Sequence, residues 1–314
     1  RPWSSLWLSY EPLPESLQSD YAAILRNVYC LGRSPMALNT QKELITAVES
    51  LTGRRPARCE AIDADGTVLL GTVKDLKGLL PKNLAARADQ LKSEGFVIAS
   101  GEIRGRKCTV ITSKSEAGVL YGVFHFLRLM QNRQAIDALS IVEEPRVNLR
   151  MLNHWDRIDG YIERGYAGRS LWKWDELPGR IDPRYEDYAR FCASIGINAS
   201  AINNVNADSE ILTGEYLRKV KVLADIFRSW GIQLFLSANF AAPLKPSLGE
   251  GRKQGCGNLE TADPLDPAVQ AWWKHKVDEI YRLIPDFGGF VVKANSEGMP
   301  GPRTYGRSHV EGAN

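Results

Sequence analysis

A lysine and a glutamate near the end of the chain have the residue types and spacing of an active-site pair. In the segment Phe290–Pro302, an apolar stretch carries Lys293 and Glu297 to its end, and a Gly/Pro run fixes the following turn. A carboxyl group partly removed from water there has a raised pKa and can act as a general acid near neutral pH. A neighbouring ammonium stabilises the carboxylate and so lowers the pKa of the acid. Lys293 is therefore expected to have a different role, such as binding a substrate carboxylate. From chemistry alone, a structural ion pair between the two is an equal alternative.

The segment Asn153–Gly168 is the second place where chemistry is expected. It is dense in charge, aromatic side chains and glycine, and it cannot form a regular helix or strand. Long ordered loops of this composition usually bind a ligand. The alternative is a loop held by internal salt bridges, with Glu163 and Arg164 bonded to their neighbours. We expect His154 to be a hydrogen-bonded structural residue rather than a substrate contact.

Alternating strand and helix signals from Val147 onward must position these segments. The expected strands are Leu149–Trp155, Ile197–Asn203, Ile232–Phe240 and Gly289–Lys293, and the expected helices are Pro183–Ser194, Gly214–Trp230 and Pro267–Ile284. This alternation implies right-handed βαβ crossovers and a parallel sheet. Polar residues such as Asn203 and Asn204 follow the strands, and the first strand lacks the Gly-rich turn of a nucleotide-binding sheet. The pattern therefore favours a (β/α)8 TIM-type barrel over a doubly wound sheet.

Only about four βα units occur between residue 146 and Asn314. Four strands cannot close a barrel. We therefore expect residues 146–314 to be the N-terminal half of a catalytic barrel, and the chain to be a fragment or a truncated gene product.

Residues 1–145 are expected to form a small N-terminal α/β accessory domain. The expected helices are Asn39–Leu51, Asn83–Ser93 and Ser113–Gln131; the expected strands are Thr67–Val73 and a hairpin of Phe96–Ser100 with Lys107–Thr112. Apolar residues at helical spacing predict the helices, and apolar residues at alternating spacing predict the strands. The domain contains no catalytic constellation.

Composition excludes several classes of protein. The net charge of +3 is small and evenly spread, and the basic run Gly101–Lys107 is typical of a solvated hairpin turn, so we expect no nucleic-acid partner. No apolar run approaches the roughly 18 residues of a membrane span, so we expect no membrane partner. The start at Arg1, without an initiator methionine, favours a periplasmic or secreted protein over a cytoplasmic one.

The five cysteines are widely spaced and odd in number. No pair has metal-ligand spacing, so we expect no structural metal and mostly buried free thiols. The sequence does not decide whether Cys59 and Cys108 form a disulfide.

Three segments of the sequence together resemble the signature regions of the glycoside hydrolase family 67 α-glucuronidases: Asn153–Gly168, Ile202–Ala207 and Val292–Pro302. The resemblance covers essentially the whole chain, and the first and third motifs are long and specific. It implies an inverting hydrolase that needs no metal or organic cofactor. The implied reaction, in hemicellulose degradation, removes 4-O-methyl-D-glucuronic acid or glucuronic acid from O2 of the non-reducing terminal xylose of glucuronoxylan-derived xylo-oligosaccharides.

The resemblance also implies roles for individual residues. Glu297 matches the general acid that protonates the leaving oxygen, and Lys293 matches a cation that holds the uronate carboxylate. Trp155 matches an aromatic wall of the sugar pocket, and Val205 lies where the O-methyl side of the sugar is expected. Polar contacts to the sugar, or bracing of the pocket, are the expected roles of Asn203, Asn204 and Arg164.

The chain departs from the family pattern in one respect. An inverting enzyme needs a general base about 6.5–9.5 Å from the acid. In this family the base function comes from carboxylates on later barrel strands, and dimerisation comes from a helical C-terminal domain; neither lies within these residues. Two other hypotheses stay open: a non-catalytic sugar-binding remnant, and another barrel glycosidase such as a hexosaminidase. The latter uses adjacent acidic pairs, whereas here Ser296 precedes Glu297.

Overall fold

The computed structural model describes residues 7–206, 208–249, 252–293 and 299–313. The chain divides into two compact units. The first runs to Asn148 and includes the short segments Arg190–Gly196 and Ser229–Gly231, and the second contains the remainder. In the described part of the chain, no helix is long and apolar enough to cross a membrane.

The first unit is a mixed α/β structure. In chain order its elements are α1 (Glu15–Ile24), β1 (Asn27–Cys30), α2 (Pro35–Thr52), β2 (Ala57–Arg58), β3 (Thr67–Thr72), α3 (Lys82–Asp89), β4 (Phe96–Ile103), β5 (Arg106–Ser113), α4 (Glu116–Gln131) and β6 (Ser140–Glu143). The strands form one sheet in the order β2-β1-β3-β5-β4-β6. The neighbours from β2 to β5 are parallel, and β4 is antiparallel to both β5 and β6.

Local chemistry explains several boundaries of the first unit. The expected β4–β5 hairpin is confirmed, and its two-residue turn places Arg104 (φ 53°) and Gly105 (φ 75°) in the left-handed region that such tight turns require. The start expected for α2 was wrong: the helix begins at Pro35, not Asn39. The Ser34 hydroxyl accepts the Ala37 N–H at 3.1 Å, and proline is well suited to the first helical position.

Both faces of this sheet are buried. Leu69 and Leu70 are adjacent on β3 and therefore point to opposite faces. Leu70 belongs to a core with Leu44 of α2 and Phe126 of α4, whereas Leu69 packs in a second core with Val110. Each face of the sheet is thus covered by a cluster of buried apolar side chains, as a stable α/β domain requires.

The second unit contains the parallel sheet that carries the candidate site. Its elements are β7 (Met151–Asn153), the first part of α5 (Arg184–Ser194), β8 (Ala199–Ala201), α6 (Gly214–Arg228), β9 (Gln233–Asn239), β10 (Ser247–Gly249), β11 (Arg252–Gln254), α7 (Pro267–Leu283), β12 (Gly289–Lys293) and α8 (His309–Ala313). The sheet order is β12-β9-β8-β7, and all three pairings are parallel. The predicted α/β class and βα alternation are confirmed. Over the described residues the four strands do not close into a barrel.

The helices of the second unit cover this sheet with an apolar face. On α6, Leu217, Val220 and Phe227 are fully buried, and the helix packs on β9. Asp266 caps α7 by accepting the N–H groups of Ala268 and Val269 at 2.8 and 3.4 Å. Because the strands are parallel, their carboxyl ends lie at one edge of the sheet, where the polar segments follow.

A short antiparallel pair of strands, β10 and β11, lies between β9 and α7, in a glycine-containing stretch with no predicted strand. Gly257 follows it and approaches the backbone closely: a Cβ there would lie 2.1 Å from the Pro243 carbonyl oxygen. Gly255 lies in the left-handed region (φ 78°) and donates its N–H to the Ser209 hydroxyl at 3.2 Å. Both glycines are therefore required by the path of the chain.

Candidate active site

The end of β7 presents one exposed aromatic ring between two inward-turned side chains. His154 continues the strand pairing by donating its N–H to the Ala201 carbonyl at 2.8 Å. Its ring nitrogens lie 3.2 Å from the Asp156 carboxylate and 2.7 Å from the Tyr188 hydroxyl. Because His154 and Asp156 point inward, the Trp155 side chain between them is left 48% exposed. An exposed indole held by a rigid strand end is suited to stacking on a flat apolar face.

The inward-turned residues form a continuous polar network. Asp156 is buried and accepts the Ser170 hydroxyl at 2.5 Å. At the far end, the Tyr188 hydroxyl bonds to the Ser200 hydroxyl at 2.8 Å. His154 is therefore satisfied on both ring nitrogens, which matches the expected structural role for this residue.

Asn203 braces the strand ends. Its amide donates to the Ser237 carbonyl at 3.0 Å and accepts the Ser237 N–H at 2.7 Å, while the Ser237 hydroxyl donates to the Asn203 carbonyl at 2.8 Å. Both functional atoms of the amide are engaged by β9. Asn203 therefore fixes the relative position of β8 and β9 at the edge of the site.

Asn204 connects the segment after β8 to the loop after β7. Its backbone N–H donates to the Asp156 carbonyl at 2.8 Å. Its side-chain amide donates to the Trp155 carbonyl at 3.2 Å and to the Glu163 carboxylate at 2.6 Å. On its other side, the amide oxygen accepts the Asn206 N–H at 2.8 Å. This one side chain, 1% exposed, thus joins three parts of the site.

Glu163 was expected only as a member of a salt-bridged loop, but it occupies a special position. It is 8% exposed and adopts a left-handed backbone conformation (φ 52°) that is uncommon for a non-glycine residue. Its N–H donates to the Trp155 carbonyl at 2.8 Å. The loop thereby turns back on the Trp155 backbone, and the carboxylate lies against Asn204.

Lys293 ends β12 and reaches the same cluster. It pairs in register with Asn239 on β9, and its ammonium donates to the Asn206 side-chain oxygen. A continuous path therefore runs from Trp155 through Asn204 and Asn206 to Lys293. Asn206 lies within the Ile202–Ala207 motif, but its 87-residue separation from Lys293 gives no local signal of their contact.

The remaining predicted residues have different positions. Val205 is half-buried in the turn between Asn204 and Asn206, and Arg164 is exposed on the loop after β7. Glu297 lies outside the described residues. Arg157 was not predicted, although it directly follows Asp156: its guanidinium lies 3.4 Å from Asp159 and 3.9 Å from Asp208, and its buried Nε has no hydrogen-bond partner among the described residues.

A cavity of about 790 Å³ lies near the hydrogen-bonded cluster of Trp155, Asn204, Asn206 and Lys293. His154 and Asp156 are among the residues that line it. Further along its wall lie Trp172, Trp174 and Arg169. Both tryptophans are buried, and their indole N–H groups have no hydrogen-bond partner in the described structure. Trp155 and Lys293 are not among its described lining residues, so the cavity and the Trp155–Lys293 cluster are separate features.

The salt-bridge cluster at the start of α5 fixes the cavity wall. The Arg184 guanidinium, by hydrogen bonding, holds the pKa of the Asp182 carboxyl well below its ordinary value, with help from the Arg184 N–H and Lys173. Lys173 lies 3.0 Å from Asp182, and the pKa of its ammonium is raised by that contact. The cluster ties the loop bearing Lys173 to the helix.

The cysteines are free in the structure. The open question of a Cys59–Cys108 disulfide is thereby answered: both residues are thiols. Burial raises the pKa of the Cys256 thiol to about 11, with Lys276 opposing this effect.

The fold and the strand-end cluster define an α/β protein with a polar and aromatic site at the carboxyl edge of a parallel sheet. Comparison with known families makes the assignment specific. Residues 6–126 match the model of the glycosyl hydrolase family 67 N-terminus, and residues 129–314 match that of the family 67 middle domain. The chain belongs to glycosyl hydrolase family 67, which confirms the predicted family.

Curated relatives agree with this assignment. The chain is 34% identical over 311 residues to "Probable alpha-glucuronidase A" of Aspergillus fumigatus strain CBS 144.89, covering 98% of this chain and 35% of the relative. It is 34% identical over 319 residues to "Alpha-glucuronidase A" of Emericella nidulans, with the same coverage of each. The chain thus spans about a third of the length of the curated relatives it matches.

Among solved structures, the fold is similar to that of a GH138 enzyme targeting pectin rhamnogalacturonan II. The TM-score is 0.53 at 12% identity, covering 84% of this chain and 30% of that one. At this identity the likeness concerns the fold alone.

Proposed function

We propose that this chain provides the sugar-recognition side and the general acid of an α-glucuronidase. The substrate would be a xylo-oligosaccharide carrying (4-O-methyl)-D-glucuronic acid on O2 of its terminal xylose. Membership of family 67 and the names of the curated relatives support this proposal. The observation that carries it is the hydrogen-bonded path that runs from the backbone carbonyl of Trp155, whose indole is exposed, to the Lys293 ammonium.

The path brings together two kinds of group that an acidic sugar needs. A pyranose ring offers an apolar C–H face, which an exposed indole can cover, and a uronic acid adds a carboxylate, which an ammonium can bind by a charge-assisted hydrogen bond. Val205, between the two amides of the path, would contact the O-methyl side of the sugar. Asn203, Asn204 and Arg164 would brace the pocket or make polar contacts.

Glu297 is proposed as the general acid, four residues after Lys293 in the sequence. In an inverting mechanism it protonates the departing xylose oxygen while a separate carboxylate activates water on the other face of the sugar. That general base would come from parts of the full-length protein other than the strands described here. Other parts of the full-length protein would likewise supply the remaining strands of a (β/α)8 barrel and the interface of a homodimer.

The domain division is part of the proposal. Residues 1–145 would be an accessory α/β domain, and residues 146–314 would form the first half of the barrel. Trp155, Asn204, Asn206 and Lys293 all belong to the second part, so the proposed sugar recognition does not require the first.

The full-length protein tests the proposal directly. It should release (4-O-methyl)glucuronic acid from aldotriouronic and aldotetraouronic acids, and proton NMR of the first product should show the β-anomer, as inversion at an α-linkage requires. Binding of these oligosaccharides without cleavage would contradict the enzymatic proposal and favour a sugar-binding protein. Cleavage of β-N-acetylhexosaminides instead would favour a hexosaminidase.

A further inference from the structure

The Asn206 side chain is in direct contact with Lys293, the proposed uronate-binding cation. Its amide oxygen accepts a hydrogen bond from the Lys293 ammonium. Asn206 is 7% exposed and Lys293 is partly buried, so this contact is partly shielded from bulk water. Shielding strengthens the bond and gives its geometry more influence on where the ammonium points.

The position of Asn206 is fixed from the opposite side. Its N–H donates to the Asn204 side-chain oxygen at 2.8 Å, across a two-residue turn. Asn204 in turn is held by the Trp155 carbonyl and the Glu163 carboxylate. Asn206 therefore presents its oxygen to Lys293 from a hydrogen-bonded support that also holds the Trp155 backbone.

The chemical nature of Asn206 matters as much as its position. An amide oxygen can orient an ammonium by hydrogen bonding while adding no negative charge. A carboxylate in the same place would form an ion pair with the ammonium and would repel a second carboxylate from a ligand. Two acidic residues near this cluster have other partners: Asp208 lies 3.9 Å from the Arg157 guanidinium, and the Glu163 carboxylate accepts a hydrogen bond from the Asn204 amide at 2.6 Å.

We infer that Asn206 is a positioning residue that gives the site its preference for a charged uronic acid over a neutral sugar. It directs the Lys293 ammonium toward the ligand while its own side chain stays neutral. An ammonium has three N–H donors and can bond an amide and a carboxylate together. This inference rests on the proposed function, because it assumes that Lys293 binds the uronate.

The test compares a charged ligand with a neutral one in the full-length protein. The charged ligand is aldotriouronic acid, and the neutral ligand is the same trisaccharide with glucose replacing glucuronic acid. Isothermal titration calorimetry measures both dissociation constants for the wild type and for Asn206→Asp, Asn206→Ala and Lys293→Ala. Every protein in the comparison also carries Glu297→Gln, which prevents turnover of the ligand.

Asn206→Asp should weaken binding of the charged ligand about tenfold or more, since a full negative charge a few ångströms from the ligand carboxylate has an effect of this order. Binding of the neutral ligand should change less than twofold. Asn206→Ala adds no charge. It should weaken binding of the charged ligand about threefold and leave binding of the neutral ligand unchanged. If circular dichroism shows that the Asp variant does not fold, the dissociation constants of the Ala variant test the inference.

Three outcomes separate the ideas. Loss of the charged-ligand preference in both Lys293→Ala and Asn206→Asp supports the inference. If Lys293→Ala loses the preference but Asn206→Asp keeps it, or if Asn206→Ala weakens both ligands equally, the inference is overturned and the proposed function stands. If the wild type shows no preference for the charged ligand, the role proposed for Lys293 fails as well.

Discussion

Truncation of Asn204 should destabilise the second unit because it breaks the joint between the strand-end loops. Asn204→Ala removes three hydrogen bonds: to the Trp155 carbonyl, to the Glu163 carboxylate and from the Asn206 N–H. Each neutral bond contributes about 1 kcal/mol and the bond to a charged group about 2 kcal/mol. The expected loss is therefore about 4 kcal/mol in the free energy of unfolding, a large part of a typical domain's stability.

Urea unfolding followed by far-UV circular dichroism measures this loss, and an unchanged m-value would show that stability alone has changed. Glu163→Gln provides the matched control, because it keeps the shape of the partner and removes its charge. In that background the cost of Asn204→Ala should fall by about 1 kcal/mol, the difference between a charged and a neutral acceptor. A loss below about 1 kcal/mol for Asn204→Ala alone, or strict additivity of the two changes, would refute the reasoning.

Two further predictions concern ionisation in the second unit. The pKa of Asp182 is depressed by Arg184, so its stabilising effect is complete above the ordinary carboxyl pKa of 3.8 and disappears as the pH falls through the lower folded-state pKa. Thermal melts should therefore show Asp182→Asn less stable than the wild type at pH 6 and the gap closing below pH 3.8; a gap that does not depend on pH would contradict this. With a thiol pKa of about 11, Cys256 should be alkylated by iodoacetamide at pH 8 more than tenfold more slowly than a free cysteine of ordinary pKa, as read by peptide mass spectrometry. Alkylation at the rate of a free thiol would count against its burial.

The parallel framework of the second unit was largely predictable from sequence because its signals are local. A continuous apolar run marks β12, whose bounds Gly289–Lys293 were predicted as observed. Asp266 and Pro267 mark the start of α7 by capping chemistry. The observed ends of the strands and helices differ from those predicted by a few residues, because fraying and tertiary contacts decide the last turn.

Other elements could not be predicted, for physical reasons. β1 has four residues and β2 has two, and both exist only through pairing within the sheet. Elements this short depend on tertiary contacts rather than on local propensity. The error at the start of α2 was avoidable, because Ser34 and Pro35 are themselves a strong capping signal.

In the candidate site, strand-end placement identified Lys293 and the family resemblance identified Trp155, but neither identified the residues that join them. Nothing local indicates that Asn206 meets Lys293, since 87 residues separate them. Nor does the sequence reveal the left-handed conformation of Glu163, because glutamate has no preference for it. Such contacts depend on how the loops pack, which a single sequence does not encode in any short-range pattern.

The role of Glu297 as general acid is tested most directly by the dependence of its variant on the leaving group. The full-length protein and its Glu297→Ala variant are assayed on aldotriouronic acid, whose xylose oxygen needs protonation, and on a 4-nitrophenyl glucuronide, whose leaving group does not. We predict a loss in kcat of about 10²- to 10⁴-fold on the first, a far smaller loss on the second, and unchanged oligosaccharide binding. Glu260→Ala, which removes an exposed carboxylate, should leave both activities unchanged. Equal losses on the two substrates, or no loss on either, would contradict the account.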